Sequence, residues 1–236
     1  MAKKLKSVVT LLGKSGCGKD TQGDILVSEH GFEMINSGVI LRNLKKVLPK
    51  LRRGSVERYE AETIQKIINA GLFVPTLTIV CQWRIPILEL ARDARKAKGI
   101  VFTGSPRKLA EAYLIHEFFK NWPDASKNFK LCPIEIKLSD KEVFRRLSQR
   151  RQCAKCGKIF TAFPEHSALK ACDNCAGELI RRKDDTKEGI ASRMKEYREY
   201  VVPVIDYFKK EELLKSVNGE QSIENVHKDI ARAIGM

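Results

Sequence analysis

"GKSGCGKDTQ", residues 13–22, directly follows an apolar run at residues 7–12, and its reading decides how the rest of the chain is understood. Glycines at 13, 16 and 18 ahead of Lys19 make a loop whose backbone N–H groups can surround a phosphate at the start of a helix. A phosphate loop of the form G-x-x-x-x-G-K normally ends in Ser or Thr, because that hydroxyl reaches Mg2+. Here Asp20 follows Lys19, and the hydroxyl stands one place on, at Thr21. The stretch therefore predicts a strand, a phosphate-holding loop and a helix, with a carboxylate in an unusual place.

Outward from the loop, strand and helix signals alternate. Strands are expected at residues 7–12, 32–35, 100–103, 134–138 and 214–217, and helical stretches at 61–70, 77–98, 108–121 and 141–151. That alternation predicts a parallel α/β sheet. Pro49 closes one helix, Pro75 marks a turn, and Asp140 is placed to cap the helix that leads to a cysteine-rich segment. That segment, about 152–180, interrupts the alternation, and a helix resumes near residue 185, where Asp184 and Asp185 can cap it. No internal repeat or low-complexity tract is found.

With 236 residues, 43% hydrophobic and 31% charged, the chain can bury a core and reads as one globular domain with small insertions. The apolar run at 7–12 is short for a signal-peptide core, so a cytoplasmic chain with no membrane span is expected. The net charge of +15 suits polyanionic partners, nucleotides first and nucleic acid second, but the charges form no basic tract. Solvated surface charge accounts for it equally well.

Four of the seven cysteines form the pattern C-x2-C-x15-C-x2-C, through Cys153, Cys156, Cys172 and Cys175. This spacing reads as a tetrahedral zinc site of two knuckles; the competing reading, two disulfides, needs an oxidising compartment. Four thiolates leave no open position on the metal, so Zn2+ here is structural. Cys17, Cys81 and Cys132 are read as packing residues, and His30, His116, His166 and His227 receive no role.

With its hydroxyl at Thr21, the loop resembles that of the adenylate kinase family. So do "INSGVILR" (35–42), "GSPR" (104–107), "RLSQRRQCAKCG" (146–157), "RRKDD" (181–185) and "NGEQ" (218–221), which follow the family's order along nearly the whole chain. The resemblance implies a P-loop NTPase-type parallel five-stranded sheet flanked by helices, with an inserted helical segment for the nucleoside monophosphate and a small zinc-knuckle lid. It divides the chain into a core at 1–151 and 182–236, a monophosphate-binding insertion at 36–75 and a lid at 152–181. The implied reaction transfers the γ-phosphoryl group of MgATP to a nucleoside monophosphate, with AMP the first choice.

Site roles carried by the resemblance place Gly13, Gly16, Cys17, Gly18, Lys19, Asp20 and Thr21 around the ATP phosphates, with Thr21 on Mg2+ and Gln221 near the adenine. Ser37, Gly38, Arg42, Gly104, Arg107 and Glu111 fall on the acceptor side. Arg146, Arg150, Arg182 and Arg193 close on the phosphates from the lid side, where a planar guanidinium suits phosphate oxygens. Lys19, Arg107, Arg150, Arg182 and Arg193 are the expected catalytic set, and Asp184 and Asp185 orient lid arginines. A monomer is expected, and nucleic acid is not the expected partner.

The chain departs from the family pattern at Thr103, where an Asp orients water around Mg2+, and at Asp20, Val39, Ser105 and Glu111. Glu111 stands where a Gln reads the acceptor adenine, and as a carboxylate it suits the adjacent donors of guanine. A GMP-preferring kinase, a weakly active regulatory nucleotide binder and a zinc-ribbon ATPase acting on nucleic acid therefore stay open as alternatives.

Overall fold

A computed structural model describes residues 5–70, 72–161, 169–182 and 185–236; side chains at positions 42, 44–47 and 94 lie outside the description. Five strands form one parallel sheet: β1 (Lys6–Leu12), β2 (Phe32–Asn36), β3 (Gly99–Thr103), β4 (Phe129–Lys137) and β8 (Lys215–Asn218), in the order β2-β3-β1-β4-β8. A parallel sheet is covered on both faces, which is why its strands read as near-continuous apolar runs. Alternation along β1 divides the protein into two cores. Val8 and Leu12 pack with Phe102, Trp83, Ile115 and Phe208 on one face, while Val9 and Leu11 pack with Leu26, Val143 and Ile230 on the other.

Helices α4 (Thr76–Arg92), α5 (Leu109–Asn121) and α9 (Val202–Lys210) contribute to the first core. Helices α1 (Lys19–His30), α7 (Asp140–Ser148), α8 (Lys187–Glu196) and α10 (Ile223–Ile234) contribute to the second. Between β2 and α4 lie α2 (Ser37–Val47), a 3-10 turn at Leu48–Lys50 that holds Pro49, and α3 (Val56–Asn69). A short α6 (Pro123–Asn128) precedes β4, and a π-helical turn at Tyr197–Val201 joins α8 to α9. The cysteine segment forms a separate antiparallel sheet in the order β6-β5-β7, from β5 (Arg151–Cys153), β6 (Ile159–Phe160) and β7 (Leu179–Ile180). Among the described residues, no helix is long and apolar enough to cross a membrane.

Several local expectations need correction. The helix expected over 77–98 ends at Arg92, because Asp93 leaves helical geometry and accepts from the Arg95 N–H to cap a short 3-10 turn. The fourth strand begins at Phe129 rather than 134; Pro133 is accommodated because β8 joins β4 only from Ile134 onward. Asp140 is not the cap of α7. Ser139 is, accepting from the Glu142 N–H, while Asp140 pairs with Lys14 and Arg198. Likewise Thr186, not Asp185, caps α8, and Asp184 and His166 lie outside the described residues. Cys17 and Cys132 are buried as packing residues should be, but Cys81 is exposed.

Candidate active site

The loop after β1 wraps back onto the sheet. Gly13 has φ +137°, and a Cβ there would lie 2.6 Å from the Ile136 carbonyl oxygen, so no other residue fits between β1 and β4. Gly18 caps α1 with φ +99° and has no side chain to cap the first N–H groups of the helix, which is the arrangement that suits an anion at that end. The Lys19 ammonium donates to the carbonyls of Gly13 (2.7 Å) and Lys14 (2.9 Å) and lies 3.4 Å from Cys17 Sγ. Gly16 packs against Leu147, and Thr21 is half-buried in the first turn of α1.

Asp20 and Thr103 come together through a residue that the sequence reading missed. Asn36, the last residue of β2, donates from Nδ2 to Thr103 Oγ1 (2.8 Å) and to Asp20 Oδ1 (3.2 Å), and its Oδ1 accepts from the Val39 N–H (2.9 Å). Thr103 is fully buried at the end of β3, and Asp20 is exposed. The carboxylate gained and the carboxylate lost are thus neighbours. No signal in the sequence marked Asn36, since its partners lie 16 and 67 residues away.

At the start of α2, Ser37 is buried and accepts from the Trp83 indole N–H at 3.0 Å, with Ser105 Oγ 2.5 Å away. Gly104 has φ +79° and faces the backbone N of Gly38. Arg107 lies over the Phe73 ring at 5.9 Å. Glu111 is buried, and its Oε2 accepts the Arg107 backbone N–H at 2.8 Å, bracing the start of α5 as a Glu in the first turn commonly does. Burial pushes the Glu111 carboxyl up, and the Arg107 N–H opposes that shift. Arg42 stands in α2, with its side chain outside the described part.

One cleft is lined by Gly13, Lys19, Gly104, Arg107, Arg193 and Tyr197, among others. It gathers residues from the phosphate loop, the 104–107 loop and α8. Arg150 makes a two-pronged bond to Asp185, from Nε (2.8 Å) and Nη2 (2.6 Å), and Arg193 Nη2 reaches the same carboxylate at 2.5 Å. The Asp185 side chain is only 3% exposed, so both pairs are shielded from water. Arg146 is fixed by Glu142 (2.7 Å) and by the Gly219 carbonyl (2.8 Å); Gln221 donates to Asn218 O and Asp229. Arg182 is half-buried just after β7. Arg146, Arg150, Arg182 and Gln221 are not among the residues that line this cleft.

The four cysteines fit a tetrahedral metal. Their sulfurs all lie within 4.8 Å of one another, with Cys153–Cys175 at 3.5 Å and Cys156–Cys172 at 3.6 Å, close to the roughly 3.8 Å edge set by a Zn–S bond of about 2.3 Å. Each knuckle repeats the same two backbone bonds. Cys153 N–H donates to Lys158 O and Gly157 N–H to Cys153 O; Cys172 N–H donates to Gly177 O and Ala176 N–H to Cys172 O. The Cys156 backbone N–H points at Cys153 Sγ (3.4 Å) and holds that thiol down to about 6. Among the described residues, Phe160 and a few neighbours form an apolar cluster beneath the knuckles, too small by itself to order the segment.

A glycine loop between the central strand and α1 of a parallel sheet, facing a basic cleft, defines a P-loop phosphotransferase. A family profile described as "Adenylate kinase" matches residues 11–213. The chain is 31% identical over 228 residues to the adenylate kinase of Chlamydia pneumoniae, covering 97% of each chain. It is 30% identical over 231 residues to the adenylate kinase of Acetivibrio thermocellus (96% of this chain, 97% of that one). It is also 30% identical over 238 residues to that of Thermotoga petrophila (98% of both). The chain belongs to the adenylate kinase family. It is a phosphotransferase of the nucleoside monophosphate kinase type, a class that uses ATP with Mg2+.

Proposed function

We propose that the chain transfers the γ-phosphoryl group of MgATP to AMP, giving two ADP, as a monomer with a core at 1–151 and 182–236, an acceptor-binding insertion at 36–75 and a zinc-stiffened lid at 152–181. The observation that carries this reading is the single cleft shared by Lys19, Arg107 and Arg193. Phosphoryl transfer asks a protein for little covalent chemistry, only for position and for cations around the moving group. Lys19 and the loop N–H groups hold the donor phosphates, Arg107 with Arg42 holds the acceptor phosphate, and Arg193, Arg150, Arg146 and Arg182 neutralise the charge between them as the lid closes and excludes water.

Mg2+, which neutralises the triphosphate charge when bound, falls to Thr21 with Asp20 and Thr103 nearby, the last two linked through Asn36. Zn2+ falls to Cys153, Cys156, Cys172 and Cys175, as a fold-holding ion with no part in the reaction. Asp185 keeps Arg150 and Arg193 ordered and hands them to phosphate on closure.

AMP is favoured over GMP because the Glu111 carboxylate is engaged with the Arg107 N–H and lies buried. That makes Glu111 a brace for the acceptor loop and not a reader of the base. Diphosphate formation from ATP offered AMP, GMP, CMP and UMP in parallel tests the proposal, with AMP expected to give the highest kcat/KM. A preference for GMP that Glu111→Gln reverses would overturn it.

A further inference from the structure

On the far end of α1 from the phosphate loop, three potential metal ligands meet: Glu29 and His30 from the last turn of α1, and His227 from α10. The two imidazoles face one another with Nε2 atoms 2.8 Å apart, ring planes within 16° and centroids 5.0 Å apart. That centroid distance nearly equals the N–N distance plus the two ring radii, the largest value those two contacts allow, so the rings meet edge to edge, with Nε2 directed at Nε2.

The tautomer of His227 is fixed from behind. Gln22, only 2% exposed, donates its Nε2 to the Ile223 carbonyl (2.9 Å), which turns its Oε1 toward His227 Nδ1 at 3.2 Å. An amide oxygen only accepts, so His227 carries its hydrogen on Nδ1, and its Nε2 presents a lone pair toward His30. A buried carbonyl behind an imidazole, orienting the opposite nitrogen outward, is the arrangement that supports histidine ligands in metal sites.

We propose that Glu29, His30 and His227 form a second metal site, separate from the cysteine cluster, for a borderline transition-metal ion of the zinc and cobalt class. Two imidazoles and one carboxylate select such ions over Mg2+ or Ca2+, which prefer all-oxygen shells. All three ligand atoms lie within 4.8 Å of one another. To share an ion, the two nitrogens must part from 2.8 Å to about 3.4 Å, the edge of a tetrahedron with bonds of about 2.0–2.1 Å. His30, next to the helix-ending Gly31, and the exposed Glu29 are free to make that adjustment. On binding, the hydrogen that His30 directs at His227 moves to His30 Nδ1 by exchange with water, so both rings ligate as neutral imidazoles and no proton is lost overall. Water fills the fourth position. The bound ion clamps α10 to the helix that carries the phosphate loop.

The test uses the full chain without a histidine tag, with its cysteine site kept loaded with zinc, titrated with Co2+. One further equivalent per chain is expected to bind with the visible bands of nitrogen and oxygen ligation and no thiolate-to-cobalt charge transfer. His227→Gln and His30→Gln should each weaken that binding by about tenfold or more, and Glu29→Gln by a smaller factor. Added Zn2+ should raise the melting temperature of the parent but not of His227→Gln. No second equivalent, binding with the thiolate signature alone, or affinity unchanged in both histidine variants would each overturn the site.

Discussion

Asn36 shows how a displaced charge is managed at the level of single residues. Its amide bonds to both Thr103 and Asp20, so a carboxylate in the first turn of α1 is tied to the end of β3, and in the proposed Mg2+ site that carboxylate takes the place of one at the sheet end. A carboxylate near a divalent ion contributes on the order of 1–4 kcal/mol, depending on screening. Asp20→Asn is therefore expected to raise the Mg2+ concentration for half-maximal rate roughly tenfold. A Mg2+ titration of initial rate checks this; an unchanged midpoint assigns Asp20 to solvent.

Glu142 permits a second residue-scale test. Hydrogen bonding from Arg145, and then from Arg146, lowers its carboxyl from 4.5 to about 2 against the opposing effect of burial. Because the folded value is depressed, the stability it contributes is present in full above pH 4.5 and is lost as pH falls toward 2. Glu142→Gln should thus flatten the acid limb of a stability–pH curve within that window and leave Arg146 less firmly held against Gly219. Thermal melts from pH 6 to about pH 2 measure it. The departures at Asp20 and Thr103 were legible from the sequence. The asparagine that joins them was not, because an Asn at a strand end reads as ordinary turn chemistry.

At the scale of elements, the knuckles carry the sharpest expectations. Zinc binding in such sites is worth on the order of 10 kcal/mol and is also folding free energy for the segment. Cys153→Ser should therefore abolish stoichiometric zinc and unfold the lid while the sheet of the core survives, as read by metal analysis together with circular dichroism. Gly177→Ala is a subtler probe. Its Cβ would sit 2.8 Å from Cys153 Sγ and 2.9 Å from Lys155 Cβ, so zinc affinity should fall although every ligand remains. The cysteine spacing made this element readable without coordinates. The N-terminal half of β4 and the 3-10 turn after α4 were not readable, because Pro133 and Asp93 act through where β8 happens to start and how one cap is made.

Across the whole molecule, a net charge of +15 draws anionic nucleotides toward a basic cleft, and such steering weakens with salt. kcat/KM for ATP should fall as ionic strength rises, with kcat less affected. Of the cleft's cations, Arg193 pairs with Asp185, which also binds Arg150 from outside the cleft. Asp185→Ala leaves two shielded guanidinium groups without that partner and should cost about 3 kcal/mol or more in stability, measurable by denaturant unfolding. The order of the segments could be followed from one end of the sequence to the other. Their meeting at Asp185 could not, because it depends on α7 and α8 lying side by side.

The chain enters the cysteine segment along β5 and leaves it along β7, with Gln152 opposite Ile180 in the same small sheet. Departure and return are therefore one strand spacing apart, and whatever lies between them is a closed detour on the path of the core. Such a joint makes the cysteine segment an exchangeable cassette: its length or its whole internal chemistry can be rewritten by design, while the strands that hold the phosphate loop keep the same ends to connect.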